Sequence, residues 1–349
     1  MLERPRILFL YTELAGYTLA CFSALTAKGA EVHAVRLPVN AEAPFQFGDQ
    51  ASVFLYERSD FDKGSLLQFV RELKPAEIIV SGWIDDAYLH VCRNYESAQK
   101  VLLLDNQWNG SLKQILASFV FRIFLLRHFQ YAWVAGSRQA AYASHLGFKP
   151  RQIHQAFYSC DFQKFATYYE QSLPQKTGHF PKRFIFVGRY YDFKGVKDVW
   201  EAFMELQEEG ECGWELWCLG TGTIEPTEFK GIRHLGFVQP ERMLEVIEST
   251  GVFVLPSHFE PWGVVIHEFA AAGFPLLCSS ACGAADLFLE PGINGYVYQS
   301  GNIQELKNLL RKISLLPDAE LIRMSERSHR LAASVTPEKW ADTVLSMQL

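Results

Sequence analysis

Short apolar runs recur along this chain, each followed by a helical pattern and then another apolar run. In the first half the runs are Ile7–Tyr11, Glu31–Leu37, Glu77–Ser81, Val101–Leu104 and Tyr131–Ala135. A turn holding Gly16 leads from the first run into a helix through Lys28, with Gly29 at its C-cap. A second helix over Ser65–Leu73 is stopped by Pro75. Apolar runs without alternation fit strands buried on both faces, and helices spaced between them supply the crossovers that parallel pairing needs. The pattern therefore restricts the chain to a parallel α/β sheet covered by helices.

The rhythm restarts after Thr167. Glu170–Arg183 is polar, with two prolines and a glycine, and reads as a linker. Strands follow at Phe184–Val187, Glu215–Leu219, Gly251–Leu255 and Pro275–Cys278, with helices at Val196–Leu206 and Val265–Ala272. The chain's 349 residues exceed what one hydrophobic core usually organises. The expected architecture is two Rossmann-like domains, residues 1–167 and 183–335. A C-terminal helix within residues 336–349, N-capped by Thr336, is expected to pack back on the first. Ligands of such sheets sit beyond the carboxyl ends of the strands, so the two domains are expected to face each other across a binding cleft.

A net charge of −6 argues against a general nucleic-acid binder, which needs a basic footprint. The charge is uneven: residues 1–165 hold 17 Lys/Arg and 15 Asp/Glu, and the remainder 16 and 24. That asymmetry is consistent with a first half that faces something anionic. The seven cysteines form no CxxC pair and complete no metal-ligand cluster, which fits a reduced, cytoplasmic setting without a bound metal or cofactor. The first apolar run is too short for a signal-peptide core or a bilayer span.

Two segments carry chemistry. Pro256–Gly273 (PSHFEPWGVVIHEFAAAG) follows a strand and enters a helix near Gly263. A loop entering a helix offers unpaired N–H groups and a positive dipole end, a natural phosphate seat, and glycine lets the backbone approach a ligand closely. Glu268, about one turn into the helix, can accept hydrogen bonds from a ribose, and Glu260 on the loop can reach toward a sugar. Phe184–Gly195 (FIFVGRYYDFKG) places Arg189 and Lys194 at a strand's carboxyl end, where fixed cations stabilise charge developing on a departing diphosphate.

These segments, with LGTG (Leu219–Gly222), LGFV (Leu235–Val238), CGAADLF (Cys282–Phe288) and GINGYVY (Gly292–Tyr298) in the same order, resemble the retaining GT-B glycosyltransferases of family 4. The resemblance spans nearly all of the second half. In the first it is limited to the βα units, the Gly16 turn and SRQAAYASHLGF (Ser137–Phe148). It implies a retaining, metal-independent hexosyl transfer from a nucleotide-diphosphate sugar, a UDP-sugar by preference. The implied acceptor is a glycan or lipid-linked glycan, in surface-polysaccharide assembly. Arg189 and Lys194 would contact the diphosphate beside Gly188, Glu268 would hold the ribose, and Glu260 a hydroxyl of the transferred sugar. Amides near Gly263, Val264 and Val265 would bind phosphate or sugar oxygens, with Gly16 opposite them. Where many members carry a His after the fourth strand of the first domain, this chain reads VLLLDNQW, so Asp105 or Asn106 stands in its place, with Asp105 the candidate for sugar contact or acceptor activation. The family's NGVD reads YSCD (Tyr158–Asp161). A non-catalytic nucleotide-sugar- or glycan-binding subunit and a nucleotide-sugar epimerase are the alternative readings.

Other features have plainer accounts. Asp85 and Asp86 have the wrong spacing for a metal-binding pair and are expected to cap a helix. Gly220 and Gly222 lack the rest of a dinucleotide fingerprint and read as a turn. His258 and His267 have no partner readable from the sequence. Residues 112–133 mix apolar side chains with Lys113, Arg122, Arg127 and His128. They suit either a core helix running into a strand or a face lying peripherally on the inner side of an anionic cell membrane.

Overall fold

The computed structural model describes residues 4–12, 14–38, 53–210, 212–239 and 242–347. The chain divides into two compact units, residues 1–161 with 335–349, and residues 162–334.

The first unit alternates β1 (Arg6–Leu10), α1 (Gly16–Ala27), β2 (Glu31–Arg36), β3 (Val53–Glu57), α2 (Lys63–Leu73), β4 (Glu77–Ser81) and α3 (Asp86–Asn94). It continues through β5 (Gln99–Leu104), α4 (Leu112–Phe124), β6 (Tyr131–Val134), α5 (Ser137–His145) and β7 (Ile153–His154). The seven strands order β3-β2-β1-β4-β5-β6-β7, and every pair is parallel. The order reverses direction between β1 and β4, which makes that gap the unit's topological switch point.

The second unit opens with α6 (Phe162–Gly178), followed by β8 (Arg183–Val187), α7 (Val196–Glu208), β9 (Glu215–Leu219), β10 (Ile232–Gly236), α8 (Met243–Ser249) and β11 (Val252–Leu255). Then come α9 (Val264–Ala271), β12 (Leu276–Ser279), α10 (Ala285–Phe288), β13 (Gly295–Tyr298), α11 (Ile303–Ser314) and α12 (Asp318–Ala332). Its six parallel strands order β10-β9-β8-β11-β12-β13, with the switch between β8 and β11. The central strands are the apolar runs of the sequence: Phe184, Ile185, Phe253, Val254, Leu276 and Leu277 are all fully buried. The two parallel sheets with covering helices bear out the α/β class.

The last helix, α13 (Pro337–Met347), belongs to the first unit. Trp340 anchors it: its ring stacks on Phe9 at 5.8 Å, lies 5.0 Å from Trp133, and its indole N–H donates to the Phe157 carbonyl at 2.7 Å.

Two expectations are overturned. Residues 170–178, read as linker, are the C-terminal half of helix α6. The helix buries Phe165, Ser172 and Lys176, with half-buried Tyr169 on the same face. This i, i+4, i+7, i+11 stripe is concealed by polar residue types. Tyr169 stacks on His329 at 4.1 Å and packs so closely on Gly273 that a Cβ there would lie 2.2 Å from its ring. That packing holds the helix through Pro174, whose missing N–H removes one internal bond. Residues 112–124 form the expected helix and lead into the expected buried strand, β6, but the helix itself is not a core helix: only its Ser118 and Phe121 are buried.

Candidate functional site

In the second unit the loops after β8 and β11 flank the switch point. The loop after β8 makes a short 3-10 turn over Asp192–Lys194 and turns into α7 at Gly195, whose φ is +65°. A Cβ on Gly195 would lie 2.1 Å from the Pro256 carbonyl oxygen, so only glycine lets the two loops touch. The Phe193 carbonyl accepts the amides of His258 (2.8 Å) and Phe259 (3.1 Å), knitting the loops together. The strand ends behind them are equally close. Gly220 leaves room for the Gly188 carbonyl, 1.9 Å from where its Cβ would stand, and Gly222 bridges Tyr190. The GTG turn thus buttresses the Gly188–Arg189 segment, a role its sequence did not reveal.

Lys194 from the first loop forms an ion pair with Glu260 on the second. The pair is largely withdrawn from solvent, with side-chain exposures of 17% and 10%. Low water content strengthens it and makes either charge costly alone. Ser257 donates from its hydroxyl to the same carboxylate oxygen of Glu260 at 3.4 Å. The main chain of the loop is pinned from the far side: Gly283 N–H donates to the Glu260 carbonyl (3.0 Å) and Ala284 N–H to that of Trp262 (2.9 Å). Arg189 is exposed at the end of β8, its guanidinium 5.5 Å from the Tyr191 ring centre.

Gly263 sits at φ +93° as N-cap of α9, and a Cβ there would press on Glu260 Cγ at 3.0 Å. No side chain caps this helix end and its first turn holds no acidic residue. The amides of Val264 and Val265, in the first turn of α9 beside the Lys194–Glu260 pair, have no partner within the helix, an arrangement that can hold an anion. Half-buried Glu268 stands one turn further along α9. The structure thus brings Gly188, Arg189, Lys194, Glu260, Gly263, Val264, Val265 and Glu268 to one end of one sheet. His267 points the other way: it is buried, donates from Nε2 to the Ala332 carbonyl (3.0 Å), and stacks on Phe288. His258 pairs with Asp198 at 2.7 Å.

The first unit carries a second cluster. Gly16 is the first residue of α1, and Asp105 follows β5 with its carboxylate accepting from the Tyr158 hydroxyl at 3.2 Å. Tyr17 meets Tyr158 edge-on at 5.8 Å. Burial, with Tyr17 and Asp105 alongside, pushes the Tyr158 phenol well above its usual range, so it remains a donor to Asp105. The buried Gln139 amide fixes the Asp105 main chain by donating to its carbonyl at 3.0 Å. Tyr17 and Tyr158 were invisible as site residues in the sequence; the tyrosine of YSCD was the available signal. Asp85 caps α3, accepting from the amides of Ala87 and Tyr88, while Asp86 pairs with Lys63.

Comparison with known proteins shows similarity of sequence in the second unit and of fold over nearly the whole chain. Residues 181–314 match the family described as glycosyl transferases group 1. A glycogen synthase of Mycobacterium tuberculosis is 29% identical over 160 residues, covering 43% of this chain and 37% of the relative. The lipopolysaccharide 1,6-galactosyltransferase of Escherichia coli is 30% identical over 141 residues, 37% of this chain and 38% of the relative. These sequence matches span little more than a third of the curated relatives' length. Similarity of fold extends further. Anabaena HepE in complex with UDP superimposes with TM-score 0.72 over 98% of this chain and 99% of its own, at 15% identity. Sucrose-phosphate synthase from Thermosynechococcus elongatus does so with TM-score 0.73 over 99% and 98%, at 16% identity. A GT-B-like fold thus extends over nearly the whole chain, and within it residues 181–314 carry the pattern of the glycosyl transferases group 1 family.

Proposed function

We propose that this protein is a retaining glycosyltransferase that moves a hexosyl group from a nucleotide-diphosphate sugar, with UDP as the nucleotide, to a glycan or lipid-linked glycan. The observation that carries the proposal is the Lys194–Glu260 pair beside the uncapped start of α9 at the β8/β11 switch point. The UDP bound by HepE and the polysaccharide chemistry in the names of the relatives favour the same donor and a surface-polysaccharide setting.

In this reading the α9 amides at Val264 and Val265 bind the diphosphate, and Arg189 and Lys194 balance the charge that grows on it as the sugar C1–O bond breaks. No metal is needed for that task. Glu268 accepts from the ribose hydroxyls. Glu260, oriented by Lys194 and Ser257, accepts from a hydroxyl of the transferred sugar rather than attacking its C1. The acceptor oxygen bonds to C1 on the face the diphosphate leaves, and a departing phosphate oxygen takes its proton, so configuration is retained. Asp105, held by Tyr158, contacts the sugar or draws on the acceptor hydroxyl.

The test is product stereochemistry. UDP-α-glucose and UDP-α-galactose are incubated with lipid and polysaccharide acceptors, and the new linkage is read by NMR. An α-linkage supports the proposal; a β-linkage overturns the retaining mechanism. Epimerised UDP-sugar without transfer overturns the transferase reading.

A further inference from the structure

Helix α4 is apolar on the side that faces away from its own unit. Of the 17 large hydrophobic residues exposed among the described residues, seven lie on this one helix. At about 100° per residue, Leu112, Leu116, Phe119 and Ile123 form its outward line, flanked by Ile115, Val120 and Phe124. Together they cover roughly half the circumference. Phe119 is 64% exposed and Leu116 67%. Scattered exposed apolar residues need no account, but a contiguous patch of this kind marks an interaction surface.

The helix is firmly seated from behind. Fully buried Phe121 packs on Trp83 (5.3 Å), Phe148 (5.9 Å) and Phe129 (6.0 Å). Ser111 caps its start by accepting from the Gln114 amide at 3.3 Å. Arg122 near its end donates to the carbonyls of His145 (2.8 Å) and Ser144 (3.3 Å), tying it to the end of α5. The outward face is therefore fixed by the fold.

Charge identifies what this face meets. Between Asp105 and Asp161 lie 55 residues without a single Asp or Glu, holding Lys113, Arg122, Arg127, Arg138, Lys149 and Arg151. This run exists within a protein of net charge −6. Lys113 and Arg122 fall on the two borders of the apolar stripe, and exposed Arg127 follows just beyond the helix. An apolar ridge edged by cations and free of anions is complementary to an anionic lipid surface, where the ridge enters the acyl boundary and the cations meet headgroup phosphates. No helix among the described residues is long and apolar enough to cross a membrane.

We propose that α4 docks this protein on an anionic lipid bilayer, lying in the interface plane with the Leu116–Phe119 ridge inserted. The site is separate from the nucleotide cluster and does not depend on it. The experiment is sedimentation with phosphatidylglycerol–phosphatidylcholine vesicles and with phosphatidylcholine vesicles, with UDP calorimetry on the same samples. Wild type binds the anionic vesicles preferentially, and salt weakens binding. Leu116→Ser/Phe119→Ser reduces binding at least about tenfold, and Lys113→Gln about fivefold, at unchanged circular dichroism. UDP affinity stays the same in both variants, so failure of the donor site and failure of the docking face are read independently. Equal binding to both vesicle types overturns the proposal. So does a wild type that ignores vesicles but forms a dimer that Leu116→Ser/Phe119→Ser dissolves, which would assign the face to a second copy of the chain.

Discussion

Lys194 and Glu260 are 66 positions apart in the chain and form one ion pair across the gap between β8 and β11. The pair joins the two segments that carry the chemistry, so each is expected to lose its geometry when the other partner is removed. Glu260→Gln keeps a hydrogen-bond acceptor and is expected to leave UDP affinity within about threefold while lowering kcat about 100-fold or more, the loss of a charge-assisted contact made to the transferred sugar. Steady-state kinetics with calorimetry checks the split between binding and turnover.

The glycines at the loop junctions are expected to rank by what stands against them. Gly195→Ala drives a methyl into the Pro256 carbonyl at a φ of +65°, whereas Gly263→Ala, at a φ of +93°, meets side chains alone, the nearest atom being Glu260 Cγ at 3.0 Å. Gly263→Ala should cost about 1–2 kcal/mol from backbone strain, and Gly195→Ala more, because main chain has to move. Thermal unfolding of the two variants tests the order.

Trp340 closes the core of the first unit from the far end of the chain. Trp340→Ala removes a buried ring and leaves the Phe157 carbonyl without its indole donor. The expected loss is about 3–5 kcal/mol, read by denaturant unfolding.

Lys176 gives the stability a pH signature. Burial pushes its ammonium down to about 7 from 10.5, with Glu248 opposing the shift, and its Nζ sits 3.7 Å from the Phe274 ring centre. The folded state thus releases this proton near pH 7, while the unfolded chain keeps it until about 10.5. Between those values the unfolded state binds more protons, so this lysine's contribution makes stability rise with pH. Lys176→Met should stabilise the protein by roughly 2–4 kcal/mol at pH 6, and the advantage should shrink as pH rises toward 10. Unfolding of both proteins across that range is the check.

Legibility followed burial. Central strands such as Phe184–Val187 were readable because strands covered on both faces are continuous apolar runs. The edge strands β3, β7, β10 and β13 were not, since Ile153–His154 is two residues long and Val53–Glu57 keeps its side chains partly exposed. Helix α6 hid behind polar residue types, because Ser172 and Lys176 are buried there against the usual preference. In the second unit the site could be read, since each residue lies within a short segment beside a strand end. The Asp105–Tyr158 contact spans 53 positions, and no local pattern encodes it.

The central claim is that the β8/β11 switch point holds a nucleotide diphosphate. The most direct measurement is calorimetric titration of UDP, GDP and ADP, with and without magnesium, into wild type and Lys194→Ala. The account predicts that UDP binds without need of magnesium and that Lys194→Ala weakens it about tenfold to 100-fold, the worth of one charge-assisted contact. Absence of binding by any of the three, or UDP binding that is indifferent to Lys194, would contradict it.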